Sequence, residues 1–598
     1  MKLSDYVVKF VENLGVKDIF LVSGGGNMHL IDSVGRNKKI NYVCNHHEQA
    51  CAIAVEGYAR MKNDIGVALV TTGPGGTNTI TGVAGCWLDS IPALFISGQV
   101  KMAHTAYVQN PKLRQFGDQE LDIVEIVKSV TKYAVFVTDK NTIRYHLEKA
   151  VYLAKTGRPG PVWIDIPLDI QASDINVEEL VGFVPEAQIE NNIDKEVEEI
   201  VNLLKAAKRP IVVAGNGIRL SHGEEKFLEL LGTLNVPVVT AINGNDLVNE
   251  DYAYYTGRFG IMGQRGANFA IQNSDLILSI GSRLMVRQIG FDYDKFAREA
   301  KIICIDIDKE EINKKSINSH IKLAVDAKFF INKLLEAINN TENFEIKCRE
   351  WNERCIQWKK KYGGIEACHL QQDKYVNSYY FVSKLSDFLS KEDHIITSNG
   401  TSNVSTLFSI KLKNGQRLFT NTALASMGYG LPAALGACVA NDRKQVICME
   451  NDGSLQMNIQ ELQTIVHNKL PMKIFVFNND GYLSIKNTQG SFFPDNITAA
   501  DPSSGVSCPD LEKISYAYGI PFKRISKVDE IETKLTEVFE TEGAYICEIM
   551  MDPWQQLLPK TSSKKCDDGR MISKPIEDMF PFLPREEFLE NMIIEPLE

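Results

Sequence analysis

Short apolar runs alternate with amphipathic segments along most of the chain. In the clearest case, the run Val446–Met449 is followed by apolar positions at helical spacing between 459 and 466, and then by the run Ile474–Phe477. A strand-helix-strand unit of this kind is typical of a parallel sheet, in which both strands end at the same edge. The polar turns that follow the two runs, at Asp452 and Asn479, are therefore expected to meet.

The same alternation organises two earlier parts of the chain. Apolar runs near residues 18 and 41 precede a long helix, and four more runs follow in the segments PIVVAGN, VPVVTAI, LILSIGS and KIICIDID. This pattern indicates α/β domains. We predict three doubly wound parallel-sheet domains and a C-terminal tail or lid, with the bounds 1–170, 197–340, 376–555 and 556–598. Polar segments at 171–196 and 340–375 are interpreted as linkers.

The composition is that of a soluble globular protein with several domains. Of the 598 residues, 44% are hydrophobic and 24% are charged, and no apolar run approaches the ~20 residues of a membrane span. The chain opens with an amphipathic helix rather than a signal peptide, so we expect a cytoplasmic protein. The net charge of −11 is spread without a basic block, which argues against nucleic acid as a partner. The 12 cysteines include no Cys-x-x-Cys pair, so neither a zinc site nor a disulfide framework is expected.

The turns at Asp452 and Asn479 carry the kinds of ligand that a magnesium ion prefers. Carboxylate, amide and main-chain carbonyl oxygens suit Mg²⁺ that keeps some waters and bridges a bound diphosphate. Gly453 and Ser454, at the start of the following helix, would offer amide donors to the same phosphates. The alternative interpretation is an ordinary α/β crossover with acidic turns.

These motifs resemble those of thiamin-diphosphate (ThDP) enzymes, whose signature is Gly-Asp-Gly followed about two dozen residues later by Asn-Asn. Here Asn479 follows Asp452 by 27 residues. The first glycine is replaced by Asn451, which tolerates unusual backbone angles, so the turn is expected to survive. From about residue 3 to about residue 555, the chain resembles acetolactate synthases and related 2-oxo acid decarboxylases, with its segments in the same order.

Glu48 lies where the second apolar run enters the long helix. In ThDP enzymes, a glutamate at this place shares a proton with the aminopyrimidine ring of the cofactor, which activates the thiazolium carbon. Without a cofactor, Glu48 would be interpreted as a helix-capping carboxylate. The resemblance implies a catalytic set that consists of Glu48, Gln119, Gly25 and Gly26.

The resemblance also implies which residues bind ThDP and its metal ion. Met427 is expected to lie between the two rings of the cofactor and hold them bent, whereas a methionine outside such a motif is more often part of a core. The expected ThDP-binding residues are Gly73, Pro74, Gly400, Thr401, Ser402, Ala425, Met427, Asp452, Gly453, Ser454, Asn479, Gly481 and Tyr482. The expected Mg²⁺-binding residues are Asp452, Asn479 and Gly481.

In the acetolactate synthase branch, the middle domain carries FAD, mainly as a structural cofactor. Gly281, Arg283 and Arg287 match its Gly-x-Arg and later arginine, and Asp306 matches its acidic strand residue. An arginine can pair with a diphosphate, and a carboxylate can accept from a ribose hydroxyl. Many relatives with this domain bind no flavin or bind another nucleotide. The Gly-Asn-Gly segment at 215–217 alone indicates only a turn.

The resemblance implies decarboxylation of a 2-oxo acid, usually pyruvate, and capture of the resulting acyl-anion equivalent by a small carbonyl acceptor. It also implies a homodimer or homotetramer in which the first domain of one chain and the third domain of its partner build each site. No nucleic-acid or membrane partner is expected.

Three departures from the acetolactate synthase pattern concern the acceptor. Asp118, Ser484 and Thr488 stand where those enzymes carry bulky apolar residues. A larger, hydroxyl-rich acceptor becomes plausible, because a site that hydrogen-bonds hydroxyl groups selects strongly for them. Three alternatives to acetolactate synthase activity therefore stay open: two-carbon transfer to a keto-sugar nucleotide, a pyruvate oxidase-type reaction, and a non-catalytic ThDP-binding regulator.

Overall fold

The computed structural model of the protein describes residues 1–186, 192–370, 374–565 and 571–597. Three six-stranded parallel sheets follow one another along the chain, each accompanied by helices, and a tail with short strands follows the third. Most central strands are fully buried, and such strands form continuous apolar runs in the sequence. The predicted α/β class with three parallel sheets is confirmed.

The first sheet contains six strands: β1 Asp18–Leu21, β2 Asn41–Cys44, β3 Gly66–Val70, β4 Ala93–Gln99, β5 Tyr133–Phe136 and β6 Pro161–Pro167. Their order in the sheet is β2-β1-β3-β4-β6-β5. The helices of this part are α1 Leu3–Asn13, α2 Met28–Arg36, α3 Glu48–Lys62, α4 Pro74–Asn78, α5 Ile80–Asp89, α6 Ala106–Gln109, α7 Ile123–Val127, α8 Ile143–Lys155 and α9 Leu168–Ala172.

The middle sheet contains β7 Pro210–Ala214, β8 Val238–Thr240, β9 Tyr255–Arg258, β10 Leu276–Ile280, β11 Lys301–Asp306 and β12 Ile321–Ala324. Their order in the sheet is β12-β11-β10-β7-β8-β9. The helices of this part are α10 Asp194–Ala206, α11 Gly217–Leu220, α12 Glu224–Leu234, α13 Arg265–Gln272, α14 Val286–Ile289, α15 Lys309–Ile312, α16 Ala327–Asn339 and α17 Arg349–Tyr362.

The third sheet contains β13 His394–Thr397, β14 Leu418–Phe419, β15 Val446–Asn451, β16 Met472–Asn478, β17 Phe522–Ile525 and β18 Tyr545–Met550. Their order in the sheet is β14-β13-β15-β16-β18-β17. The helices of this part are α18 Ser378–Phe388, α19 Gly400–Ser409, α20 Gly430–Ala440, α21 Asp452–Leu455, α22 Glu461–His467, α23 Leu483–Phe492, α24 Leu511–Tyr518 and α25 Ile531–Glu540.

Each sheet has one point at which the strand order reverses. These points lie between β1 and β3, between β7 and β10, and between β13 and β15. In open α/β sheets, ligands bind beyond the carboxyl ends of the strands at such a reversal. The topology therefore provides three candidate binding crevices, one in each sheet.

Two segments outside the sheets join the core of the middle domain. The tail contributes β19 Lys560–Thr561, β20 Ser563–Lys565, β21 Met571–Ser573, β22 Met579–Phe580 and α26 Arg585–Asn591. Trp358 of α17 and Phe588 of α26 are buried in the core of the middle sheet. Arg265 of α13 donates to the main-chain oxygens of Met579 at 2.9 Å and Pro581 at 2.6 Å. The tail is thus held against the middle domain of its own chain.

The predicted linkers and tail include residues 187–191, 371–373, 566–570 and 598, which lie outside the described residues. In the described part of the chain, no helix has the length and apolar character needed to cross a bilayer.

Helices α3 and α20 pack backbone against backbone. A Cβ atom on Gly57 would overlap the carbonyl group of Ala433, and one on Gly436 would overlap the carbonyl group of Ala54. Both positions therefore require glycine, because the overlap is with main chain and not with a side chain that can move. This contact fixes the first sheet against the third.

A buried ionic cluster lies beside this helix pair. Arg60 contacts Glu56 at 2.8 Å and Asp89 at 2.6 Å, and none of the three is more than 5% exposed. Burial raises the pKa of Glu56 to about 7, and the charge of Arg60 opposes this shift. Asn421 and Tyr429 of the third domain each donate to Glu56 at 3.2 Å. The cluster therefore adds polar contacts to the same domain junction.

We predict that Gly436→Ala lowers the free energy of unfolding by about 3 kcal/mol, because the added methyl group must push α20 away from α3. Gly232→Ala is the matched control, since Gly232 also lies within a helix, is exposed and has open space at its Cβ position. This control should gain about 0.5–1 kcal/mol from the better helix former. Urea unfolding of both variants makes the comparison, and equal stability would contradict the close helix contact.

Candidate active site

The turns after β15 and β16 meet at the carboxyl edge of the third sheet, as the crossover pattern predicts. The Oδ2 atom of Asp452 accepts from the amide of Asn479 at 3.2 Å and from the amide of Gly481 at 3.1 Å. Within the described residues, Oδ1 of Asp452 and Oδ1 of Asn479 are buried and have no hydrogen-bond partner. Two hard oxygen atoms at adjacent strand ends are thus left for a ligand.

The electrostatics of this turn suit a cation. Burial raises the pKa of Asp452 to about 6, although the amides of Gly481, Gly453 and Asn479 oppose the shift. A bound divalent ion would favour the ionised carboxylate and supply the missing partner. The Nζ atom of the buried Lys486 donates to the carbonyl oxygen of Asn479 at 3.1 Å, which fixes the turn from behind.

Asn451 fits the turn for a different reason from the one predicted. Its φ of −116° and ψ of 154° are those of an extended strand, so the position needs no unusual backbone angle. Its side chain instead accepts from the amide of Ser402 at 3.0 Å and donates to the carbonyl oxygen of Asn399 at 2.7 Å. Asn451 therefore ties β15 to the start of α19.

A cleft of about 440 Å³ opens at this edge of the third sheet. Its wall includes most of the residues that the sequence assigns to ThDP in this domain: Gly400, Thr401, Ala425, Met427, Ser454, Asn479, Gly481 and Tyr482. Ser402 and Gly453 lie behind that wall. The amide of Ser402 is bonded to Asn451, and Gly453 lies so close to the ring of Tyr482 that a Cβ atom would not fit.

The loop that carries Met427 has two left-handed backbone positions, Ala425 with φ 55° and Gly428 with φ 77°. The carbonyl oxygen of Ala425 accepts from Nδ2 of Asn399 at 2.9 Å, and the amide of Gly428 donates to Oγ of Ser454 at 2.9 Å. These bonds hold the loop on both sides of Met427. The methionine is thereby fixed in the wall of the cleft.

Glu48 is the first residue of α3 and is half-buried in the single chain. Its Oε2 atom accepts from Nδ2 of Asn78 at 2.9 Å. Asn78 ends α4, the short helix that begins at Pro74. Sequence reasoning missed this asparagine, although it lies only four residues after the Gly-Pro turn.

Other predicted residues of the first domain gather at the same edge. The amide of Gly26, next to Gly25, donates to Oγ1 of Thr71 at 3.1 Å. Gly73 has φ 61°, and a Cβ atom there would lie 2.5 Å from the carbonyl oxygen of Gln119. Gln119 itself has φ 61° and an exposed side chain. The structure therefore brings the first-domain candidates together at the reversal point between β1 and β3.

The third domain also fixes the residues just before Glu48. Glu461 of α22 accepts from Nδ2 of Asn45 and from the amide of His46, both at 2.9 Å. However, the described residues that line the third-sheet cleft include none from 1–170. One chain thus presents two separate groups of candidate residues.

Three of the four residues assigned to FAD line a groove between the first and middle domains: Gly281, Arg283 and Asp306. Gly281 has φ 61°, and its close approach to Gly217 leaves no room for a side chain. The guanidinium group of Arg283 donates to the carbonyl oxygen of Leu88 at 3.0 Å. Burial raises the pKa of Asp306. The groove lies at the reversal point between β7 and β10.

Arg287 lies apart from that groove and lines the third-sheet cleft. It also lines a smaller pocket that shares Met262 and Val404 with this cleft and Ile242 with the groove. In the described part of the chain, its guanidinium group has no hydrogen-bonded or ion-paired partner, and burial lowers its pKa. The three cavities therefore form a row from Asp306 to the third-sheet cleft.

Two of the three departures from the acetolactate synthase pattern lie in the cleft wall. Ser484 and Thr488 are one helical turn apart on α23, and Oγ1 of Thr488 donates to the carbonyl oxygen of Ser484 at 2.9 Å. Asp118 is exposed and does not line this cleft within the described chain. The wall also contains Lys560 of the tail, which sequence reasoning did not identify.

Three family models match successive parts of the chain. Residues 1–126 match "Thiamine pyrophosphate enzyme, N-terminal TPP binding domain". Residues 197–334 match "Thiamine pyrophosphate enzyme, central domain", and residues 398–549 match "Thiamine pyrophosphate enzyme, C-terminal TPP binding domain".

Curated relatives match nearly the whole chain. A probable acetolactate synthase large subunit of Methanocaldococcus jannaschii is 32% identical over 572 residues, which cover 93% of each chain. The acetolactate synthase isozyme 2 large subunit of Escherichia coli is 30% identical over 565 residues, 94% of this chain and 97% of the relative. Acetolactate synthase 2, chloroplastic, of Zea mays is 32% identical over 582 residues, 94% of this chain and 87% of the relative. The chain therefore belongs to the thiamine pyrophosphate enzyme family, in the group of the acetolactate synthase large subunits.

Proposed function

We propose that the protein catalyses a ThDP- and Mg²⁺-dependent decarboxylation of a 2-oxo acid, with pyruvate as the donor, and joins the resulting two-carbon unit to a carbonyl acceptor. The observation that carries this proposal is the pair of buried, unpaired oxygens on Asp452 and Asn479. They lie beside the cleft of Met427 in a chain of the ThDP family.

Asp452, Asn479 and the main chain of Gly481 would hold Mg²⁺, and the diphosphate would be bound through that ion. The start of α19, at Gly400 and Thr401, lines the same cleft and would offer amide donors to phosphate oxygens. When bound, ThDP supplies the electron sink for the loss of CO₂. The protein residues bind and orient the reactants and exclude water.

Glu48 is our candidate for the carboxylate that exchanges a proton with the cofactor. The bond from Asn78 orients one of its oxygens, and Glu461 fixes the turn before it. Gln119 belongs to the same edge and has an exposed side chain, so it is available to a substrate. Met427, in the cleft wall, would set the shape of the bound cofactor.

We infer that the row of three cavities binds FAD. Gly281, Arg283 and Asp306 line one end, and Arg287 lines the other two cavities. An extended dinucleotide fits such a row, because a carboxylate can accept from a ribose hydroxyl and a free guanidinium group can pair with a diphosphate.

We also infer that the protein is at least a homodimer, in which Glu48 of one chain and Asp452 of its partner serve the same cofactor. This assembly is supported by the separation of the two candidate groups within one chain. Pairing two chains would bring each group to a complementary one, and a symmetric dimer does this twice.

The cleft wall also favours a second candidate function, which is transfer of the two-carbon unit to a larger, polar acceptor such as a keto-sugar nucleotide. Ser484 and Thr488 line the cleft with small hydroxylated side chains. Hydroxyl groups on the acceptor could be matched by such side chains, which an apolar wall would not do.

We predict that Asp452→Asn weakens ThDP binding by about 100-fold or more, because loss of even a group that only orients a metal ligand costs about 10- to 100-fold. The matched control is Asp480→Asn in the same turn, whose exposed side chain should be dispensable. Calorimetric titration with ThDP, with and without Mg²⁺, measures the effect. A variant that retained both its affinity and its dependence on Mg²⁺ would remove Asp452 from the metal site.

We predict that Thr488→Trp lowers the ratio of bulky ligated product to released CO₂ by about 10- to 100-fold, because the indole fills space that a large acceptor needs. Thr536→Trp is the matched control, since Thr536 is exposed on α25 and makes the same bond to a main-chain oxygen four residues earlier. Pyruvate is supplied alone, with 2-oxobutanoate, or with a nucleoside diphosphate 4-keto-sugar.

The products of these reactions distinguish the alternatives. Efficient acetolactate formation by the wild type with no sugar product would reject the larger acceptor. Release of CO₂ with oxygen uptake and no ligated product would indicate an oxidase-type reaction. No CO₂ release under any condition would reject the enzymatic proposal in favour of a ThDP-binding regulator.

A further inference from the structure

Lys560 is a half-buried lysine in the wall of the third-sheet cleft. Within the described chain, its ammonium group has neither a hydrogen-bonded partner nor an ion pair, and burial lowers its pKa. Most other lysines in the protein are exposed or bonded, so this one is unusual. A partly desolvated cation without a partner is costly unless a ligand supplies one.

The main chain around Lys560 is firmly held. The amide of Thr561 donates to the carbonyl oxygen of Ile261 at 2.8 Å, and the imidazole of His369 contacts the carbonyl oxygen of Leu558 at 3.0 Å. Lys560 also pairs with Phe580 in the two-stranded sheet of β19 and β22. The ammonium group is therefore carried on a fixed segment, as a specific binding residue requires.

The cleft itself has a one-sided charge. Among its described lining residues, the charged side chains are Arg287 and Lys560, and no carboxylate is present. Lys560 comes from the tail, whereas Ser484 and Thr488 come from α23. All of them line the same cleft, so an acceptor that contacts the hydroxyl groups can also reach a cation.

We propose that Lys560 is a specificity-determining residue whose ammonium group binds an anionic group, either a carboxylate or a phosphate, on the carbonyl acceptor. This inference rests on the proposed decarboxylation and ligation. It goes further by assigning the tail a direct part in the choice of acceptor. A 2-oxo acid supplies a carboxylate and a sugar nucleotide supplies phosphates, and both are oxygen anions that an ammonium group pairs with.

The test compares anionic and neutral acceptors in the same variants. Lys560→Gln removes the charge, Lys560→Arg keeps it, and Lys322→Gln is a control at an exposed lysine of β12. Each protein is loaded with ThDP, Mg²⁺ and FAD and supplied with pyruvate. The acceptors are 2-oxobutanoate, a nucleoside diphosphate 4-keto-sugar, and the neutral propanal.

We expect Lys560→Gln to raise the KM of the anionic acceptor that the wild type uses by about 10- to 100-fold, because a charge-assisted hydrogen bond is lost. The KM of propanal should change far less. Lys560→Arg should retain most of the preference, and Lys322→Gln should match the wild type. The acceptor that shows the effect tells a carboxylate from a phosphate.

Equal changes of KM for propanal and the anionic acceptors, or no change for any of them, would overturn the role of Lys560. So would loss of bound flavin as the main effect of Lys560→Gln, or use of propanal alone by the wild type. Absence of CO₂ release from pyruvate in the wild type would instead reject the function on which the inference rests.

Discussion

Helices α3 and α20 touch through their backbones because Gly57 and Gly436 have no side chains to separate them. Helix α3 begins at Glu48, and α20 follows the loop of Met427. The distance between the two helices therefore sets where the first-domain and third-domain candidates lie relative to each other. The buried cluster of Arg60, Glu56 and Asp89 adds ionic contacts at the same junction, where removal of one partner would leave an uncompensated charge.

Much of this arrangement follows from local patterns in the sequence. Apolar runs and helical spacing predict the three sheets, and the crossover rule predicts that Asp452 and Asn479 meet. The start of α3 at Glu48 follows from the junction of a strand with a helix. These features depend on residues close together in the chain, whose geometry is nearly fixed by the α/β unit.

Other features depend on contacts between distant parts of the chain. The substitution at Asn451 was predicted to be tolerated for its backbone angle, yet the residue is extended and acts through bonds to Asn399 and Ser402. Burial of α17 and α26 in the middle core, and of Lys560 in the third-sheet cleft, needs the three-dimensional path of each segment. Periodicity within a short window carries no information about such a path.

The central claim is that Glu48 and Asp452 serve one cofactor from two different chains. The most direct test mixes Glu48→Gln with Asp452→Ala, both expected to be inactive alone, under conditions in which subunit exchange is demonstrated by mass spectrometry. A mixed dimer contains one site with both wild-type residues, so release of CO₂ from pyruvate should return to about a quarter of the wild-type rate after statistical exchange. Full exchange without any recovery of CO₂ release would contradict the shared site.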